Sequence, residues 1–131
     1  MERSEDWLRQ GVRDLEKSKL DLEHAYYDWA CFTAHQAAEK AVKAVYQARN
    51  EEVRGHALLR LLQGLESAEV PEALLHHARV LDRYYIELGN PNNFPAGAPQ
   101  DYFDLELAED AIDAAQAIVG LCRDQLTSLA A

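Results

Sequence analysis

The segment CFTAHQAAEKAVKAVYQAR, residues 31–49, contains alanines at alternating intervals of three and four residues. Those intervals keep the methyl groups on one side of an α-helix, where they allow a neighbouring helix to approach closely. With the residue before the segment, the series is Ala30, Ala34, Ala37, Ala41, Ala44 and Ala48. We therefore expect this segment to form the central helix of a helical bundle.

A second line of side chains on the same helix is polar. Gln36, Lys40 and Lys43 follow one another at helical spacing, with His35 and Glu39 beside them. The simplest interpretation is a solvated face with a Glu39–Lys43 ion pair, which contributes about 0.3–0.5 kcal/mol. The alternative is a groove that faces a ligand or a partner protein.

Four other segments have the apolar periodicity of amphipathic helices, and no window alternates as a strand does. The predicted helices run from Ser4, as a cap, to about His24; from Trp29, capped by Asp28, to about Arg49; over residues 56–65; from Pro71 to about Leu88; and from about Asp101 to about Leu129. The sequence therefore predicts an all-α fold in a single domain over residues 1–131. We expect an antiparallel up-and-down four-helix bundle with an additional short helix, so five helices in all.

Composition limits the classes of function. The chain has 131 residues and a net charge of −10, so one domain is expected and nucleic-acid binding by this chain alone is disfavoured. Cys31 and Cys122 occupy apolar helical positions and are expected to be reduced, buried thiols, which indicates a cytoplasmic protein. The first ten residues are charged and lack an apolar run, so we expect neither a signal peptide nor a membrane span.

Three blocks of the sequence carry recognisable motifs. They are ACFTAHQAAEKAVKAVYQAR at residues 30–49, GHALLRLL at 55–62 and LDRYYIELGNPNNFPAGAP at 81–99. In that order they resemble the HEPN domain family, a small helical domain of prokaryotes and higher eukaryotes. The resemblance implies a bundle that is usually homodimeric and often encoded beside or fused to a minimal nucleotidyltransferase. It therefore implies a two-component system, commonly of toxin–antitoxin type.

Many members of that family are metal-independent ribonucleases or nucleotide-binding modules. The ribonucleases need an R-x4-6-H motif, in which the histidine moves a proton from the ribose 2′-hydroxyl and the arginine stabilises the charged phosphorane. Arg49 and His56 are the pair that fits, although His56 is otherwise expected to make a capping or interhelical hydrogen bond. Close relatives usually carry Arg, Tyr and Pro where this chain has Gly89, Asn90 and Pro91, so we expect no phosphate binding by that loop.

The polar line of Gln36, Lys40 and Lys43, which we call the polar stripe, and the LDRYY block at residues 81–85 suggest a ligand cleft. It would lie between the second and fourth helices, which pack close to each other in the resembling family. Such a cleft would offer cations for phosphates, a ring for stacking and an amide to read a base edge. The candidate ligand-binding residues are Gln36, Lys40, Lys43, Asp82, Arg83, Tyr84 and Tyr85. The alternative is a structural Lys40–Asp82 bridge that leaves no room for a ligand. We expect no metal site and no cofactor, since no Glu lies three residues before a His as di-iron bundles require.

Two further groups of residues suggest partners. Large aromatic side chains exceed what an alanine-packed core needs, which predicts a homodimer. They are Trp7, Tyr26, Tyr27, Trp29, Tyr84 and Tyr85. A cluster of acidic residues late in the chain is expected to stabilise the amino terminus of a helix, by about 0.3–1 kcal/mol per residue. The alternative is that the cluster docks on a basic nucleotidyltransferase. It consists of Asp101, Asp104, Glu106, Glu109, Asp110 and Asp113.

The sequence thus favours a nucleotide-binding and interaction partner of a minimal nucleotidyltransferase in a two-component system. The alternatives are a metal-independent ribonuclease toxin and a purely structural homo-oligomeric bundle. The ligand is expected to be a nucleotide or RNA, and no membrane partner is expected. Whether the chain is an enzyme stays open at this point, because the Arg49–His56 pair is a short motif in a chain with five histidines.

Overall fold

The structure is a computed structural model that describes residues 2–53, 55–65, 70–87 and 91–130. Within these ranges it has five α-helices and no strand, which confirms the all-α prediction. The helices are α1 (Ser4–Glu23), α2 (Tyr27–Ala48), α3 (Leu58–Gln63), α4 (Glu72–Glu87) and α5 (Leu105–Ala130). Two 3-10 turns, Pro91–Asn93 and Pro99–Tyr102, lie between α4 and α5. No helix of the described ranges is long and apolar enough to cross a membrane.

The alanine-rich helix α2 is the centre of the bundle, because it contacts each of the other four helices. Five members of its alanine series have no exposed surface: Ala30, Ala34, Ala37, Ala41 and Ala44. Gly11 of α1 shows how close the neighbouring backbone comes. A Cβ atom at Gly11 would lie 3.0 Å from the carbonyl oxygen of Ala37 and 3.3 Å from the nitrogen of Ala41. The alanine series of α2, which we call the alanine seam, therefore permits the close helix approach that its spacing predicted.

Two helix starts differ from the prediction. Ser4 is the first helical residue of α1 rather than its cap, and Arg3 occupies the cap position without a side-chain hydrogen bond. Helix α2 begins at Tyr27 rather than at Trp29, so Asp28 lies in the first turn and does not cap it. The carboxylate of Asp28 still stands near the positive end of the helix dipole, which favours this position.

The corner between α1 and α2 is formed at Ala25, whose φ is 62°. The N–H of Ala25 donates to the carbonyl of Leu22, and the N–H of Tyr26 donates to that of Asp21. These two bonds form a Schellman motif, in which the left-handed residue is most often glycine. The corner was therefore predicted one or two residues too late, since an alanine gives no such signal.

The last helix also starts later than predicted, at Leu105, because residues 99–102 form a separate turn. Asp101 closes that turn, since its carboxylate accepts the N–H of Ala98 at 2.9 Å. Asp104 caps α5, since its Oδ1 atom accepts the N–H of Leu107 at 2.9 Å. Helix α3 is shorter than residues 56–65, and the predicted end of α4 at residue 88 lies outside the described residues.

Helices α1 and α5 run antiparallel. The start of α1 and the end of α5 line one groove, and the end of α1 and the start of α5 line another. Both long helices also pack on α2, so together the three form the main layer of the bundle. The short helix α3 and helix α4 cover another part of α2, where the LDRYY block meets the polar stripe.

Candidate functional site

One carboxylate, that of Asp82 in α4, connects three helices. Its Oδ1 atom lies 3.0 Å from Nε2 of His35 in α2. Oδ1 also accepts the backbone N–H of Leu58 at 2.8 Å, and Oδ2 accepts that of Leu59 at 3.0 Å. Ala57, at the cap position of α3, makes no side-chain hydrogen bond. Asp82 therefore satisfies the amino terminus of α3 from another helix.

The surroundings of this carboxylate favour its charged form. Burial works to raise the pKa of Asp82, but the hydrogen bonds from His35 and from the two α3 backbone N–H groups outweigh burial and hold the pKa below its ordinary value. The side chain of His35 has no exposed surface. A buried imidazole is therefore oriented by a charged acceptor at neutral pH, with Nε2 as the donor.

Beside this carboxylate, three aromatic side chains form a patch that we call the aromatic row: Trp29, Phe32 and Tyr85. The ring of Tyr85 stacks on that of His35, with 4.8 Å between centroids and 19° between planes, and on that of Phe32, with 6.0 Å and 9°. Phe32 meets Trp29 edge-on at 5.9 Å. Trp29 is 51% exposed and Tyr85 42% exposed. The row is thus an ordered apolar patch that faces solvent in this chain.

The two lysines of the polar stripe are each paired with a carboxylate. Lys40 donates to Asp14 of α1. The ammonium of Lys43 lies 3.7 Å from Oε1 of Glu39, as the sequence predicted, and 5.7 Å from the ring centroid of Trp7 in α1. Lys40 and Lys43 of the polar stripe therefore face α1, and each ammonium group already has a carboxylate partner.

The alternative Lys40–Asp82 bridge is wrong, because α1 supplies the carboxylate that reaches Lys40 and because Asp82 binds His35 and α3 instead. Tyr84 is buried and packs against Phe103, with 5.8 Å between ring centroids, so it belongs to the core. The remaining predicted ligand-binding residues stay at least partly exposed, although Arg83 is two positions before Tyr85 on α4 and so does not share its helix face. They are Gln36, Arg83 and Tyr85.

Arg49 and His56, the predicted catalytic pair, contact different helices. An Nη2 group of Arg49 donates to Oε1 of Gln125 in α5 at 3.2 Å. His56 is 70% exposed, and its Nδ1 atom lies 3.4 Å from Oε1 of Glu39 and 3.4 Å from the ammonium of Lys43. The two side chains are therefore held by separate partners, and none of these contacts directs both at one phosphate.

The thiols and the acidic residues supply neither a nucleophile nor a metal site in the part of the chain that the structure describes. Cys31 and Cys122 are buried and free, as predicted, and desolvation raises the pKa of each thiol to about 12. Neither is a thiolate at neutral pH. No group of three or more His, Cys, Asp or Glu side chains in the described ranges is placed to hold a metal ion.

The structural role of Asp82 was not predicted from the sequence, which placed His35 only beside the polar stripe. One signal was present: α3 starts at Ala57–Leu58 without a Ser, Thr, Asp or Asn of its own to cap it. That gap indicates a cap from elsewhere in the fold, although the sequence does not say from where. The loop positions Gly89 and Asn90 lie outside the described residues.

The chain is similar to known proteins over almost its whole length. The model of the HEPN domain matches residues 4–125. Among solved structures, TT1696 from Thermus thermophilus is 40% identical, with a TM-score of 0.92, 95% of this chain covered and 99% of that one. ST0689, an archaeal HEPN homologue, is 36% identical, with a TM-score of 0.82 and coverages of 95% and 98%.

A HEPN domain protein from Thermotoga maritima, TM0613, is 36% identical, with a TM-score of 0.76 and coverages of 93% and 98%. No curated protein matches. The family match over residues 4–125, together with these structures, shows that the chain belongs to the HEPN domain family.

Proposed function

We propose that this chain is the HEPN subunit of a two-component system of toxin–antitoxin type, that it forms a homodimer, and that its aromatic row binds a minimal nucleotidyltransferase. Membership in the HEPN family supports this class of system. The observation that carries the proposal is the exposure of Trp29 and Tyr85 in an ordered patch.

Exposed tryptophan and tyrosine are the side chains that most often dominate binding energy at protein interfaces, because they combine a large apolar area with few rotatable bonds. A cluster of exposed apolar rings is unusual on the surface of a chain with a net charge of −10, and such patches mark binding sites. Because Tyr85 is already held by His35 and Phe32, binding through this ring loses little conformational entropy. The net charge of −10 would attract a basic partner and speed its association.

Nucleotide binding at the aromatic row is the second part of the proposal. Tyr85 offers a ring face for stacking, and Gln36, beside His35, supplies an amide. Arg83 is exposed on another face of α4. Lys40 and Lys43 are engaged by carboxylates, so they are less available to a phosphate than the sequence suggested. In a titration with a nucleoside triphosphate, Tyr85→Ala should weaken binding by removal of the stacking ring, whereas Lys43→Ala, as the control, should have the smaller effect.

The ribonuclease alternative has less support. It requires a histidine and an arginine that act on the same phosphate, and Arg49 and His56 have separate partners. A purely structural oligomer is the other alternative; in it a second copy of the chain, rather than a nucleotidyltransferase, would cover the aromatic row.

Co-expression with a neighbouring nucleotidyltransferase, followed by co-purification and intact-mass measurement, tests the proposal. We expect a stable complex, which Trp29→Ala or Tyr85→Ala should weaken by about tenfold or more. Leu129→Ala is the matched control. Leu129 is 47% exposed, but it lies near the carboxyl end of α5 and beside Ala48, at the end of α2 opposite the aromatic row. Failure to co-purify, or equal loss in all three variants, would contradict the assignment of the row. The mass reports in the same experiment whether the partner modifies the chain covalently.

A further inference from the structure

The surface formed by α1 and α5 has opposite charges at its two ends. At one end, Arg9 and Arg13 of α1 and Arg123 of α5 line a groove of about 640 Å³, whose wall also includes Asp6 and Glu16. At the other end, a smaller groove of about 230 Å³ is lined by one lysine and three carboxylates: Lys19, Glu23, Glu109 and Asp113. The first groove therefore has a small excess of positive charge in a chain that is acidic as a whole, and the second has an excess of negative charge.

The charges at both ends are unpaired in the part of the chain that the structure describes. No ion pair there involves the three arginines of the basic end, Glu109 or Asp113. Arg3 and Arg79, by contrast, are each 3.1 Å or less from a carboxylate oxygen. The α1/α5 surface therefore offers two sets of free charges of opposite sign to another molecule.

The spacing of these charges along α5 fits a second copy of the same chain. Glu109 and Arg123 are fourteen residues apart, which is close to four helical turns and places both on one side of α5, about 21 Å from each other. Gln116 lies midway between them and is exposed. If two α5 helices cross antiparallel at Gln116, Arg123 of each copy faces Glu109 of the other.

Gly120 supplies an independent observation on the same side of α5. It lies inside a 26-residue helix, where glycine is less favourable than alanine. The backbone of α2 explains Gly11 of α1, but a Cβ atom at Gly120 would meet nothing within 4 Å. The bundle itself therefore does not need a glycine at this position. A second helix that passes close to the α5 backbone does need one.

We propose that two copies of this chain associate through the α1/α5 surface, antiparallel about a two-fold axis near Gln116. The inference rests on the homodimer of the proposed function and assigns its interface. A two-fold axis brings the basic end of each copy onto the acidic end of the other, so this contact occurs twice and the assembly closes as a dimer. Two helices side by side present a face about 30 Å long and about 20 Å wide, or about 600 Å², close to the roughly 800 Å² per partner of stable interfaces.

Charge exchange tests this interface with the intact chain. Arg123→Glu alone sets two carboxylates against each other twice in the dimer, and Glu109→Arg alone sets two guanidinium groups against each other twice. We expect each variant to raise the dimer dissociation constant by about tenfold or more in sedimentation equilibrium. An equimolar mixture of the two variants, and the double variant in one chain, should both restore the dimer. Arg60→Glu on α3 is the control for net charge and should have no effect.

Ionic strength is a poorer test, because salt screens the repulsion between two chains of charge −10 as well as the local attraction. Far-ultraviolet circular dichroism checks that each variant folds. A wild-type monomer at tens of micromolar would overturn both the homodimer and this interface. A wild-type dimer that both single variants leave intact, or single variants that do not recombine on mixing, would overturn the interface alone. Binding of the nucleotidyltransferase through the aromatic row is measured separately and does not depend on either result.

Discussion

Gly11 lies where α1 comes closest to α2, and we predict that Gly11→Ala destabilises the bundle. The new Cβ atom would lie 3.0 Å from the carbonyl oxygen of Ala37 and 3.3 Å from the nitrogen of Ala41. Both are backbone atoms of the central helix, so neither can rotate away as a side chain can. Alanine gains about 1 kcal/mol in helix propensity, but overpacking costs about 1–3 kcal/mol. The expected net result is a loss of up to about 2 kcal/mol in the free energy of unfolding.

Gly120 provides the matched control, because it also lies in a helix interior but has open space around it. Gly120→Ala should stabilise the isolated chain by about 1 kcal/mol. Urea unfolding at a protein concentration low enough to keep the chain monomeric should therefore shift the two midpoints in opposite directions at equal m-values. If Gly11→Ala stabilised the chain as much as Gly120→Ala, the close approach of α1 to α2 would be refuted.

Two further predictions concern the centre of the bundle. Ala41→Leu should lower the free energy of unfolding by about 1–3 kcal/mol, since Ala41 has no exposed surface. The control Ala73→Leu, on an exposed face of α4, should change it little. Equal melting temperatures for the two variants would mean that α2 is not the central helix. Asp82→Asn should cost about 1.5–3 kcal/mol in thermal unfolding, because it removes the charge that accepts three hydrogen bonds. The pKa of Asp82 is lower in the folded chain than in the unfolded one, so its contribution is present at neutral pH and is lost as the pH falls below about 4. The wild type should therefore lose more stability than Asp82→Asn on acidification, and an equal loss would contradict the assigned role.

The alanine seam shows what the sequence can predict. Its spacing is local, and each alanine reports directly on the face of its own helix, so the central position of α2 and the all-α fold followed from the pattern. The start of α2 did not follow, because Ala25 adopts a backbone conformation that is usually signalled by glycine. The sequence carries no mark of that choice, which depends on how α1 and α2 pack.

The candidate site was predicted less well, because its contacts join residues that are distant in sequence. Lys40 finds its carboxylate at Asp14, 26 residues earlier, and Asp82 finds its donors on α2 and α3. Charge patterns within one helix identify pairs such as Glu39–Lys43, but they do not say which neighbour a free cation will face. The aromatic side chains were recognised as a surplus, and only the three-dimensional arrangement shows which of them form an exposed row.

Because Asp82 caps α3, the hydrogen exchange of two backbone amides in α3 depends on α4, the helix that carries Asp82. The N–H groups of Leu58 and Leu59 are held by a carboxylate of α4, so their exchange with solvent deuterium requires the contact between α3 and α4 to open, even though both residues belong to α3. Helix α3 has six residues and no capping side chain at Ala57, so it is too short to persist alone. The stability of α3 therefore depends on two neighbouring helices: on α4 through the cap from Asp82, and on α2 through the hydroxyl of Tyr46, which donates to the carbonyl of Leu61.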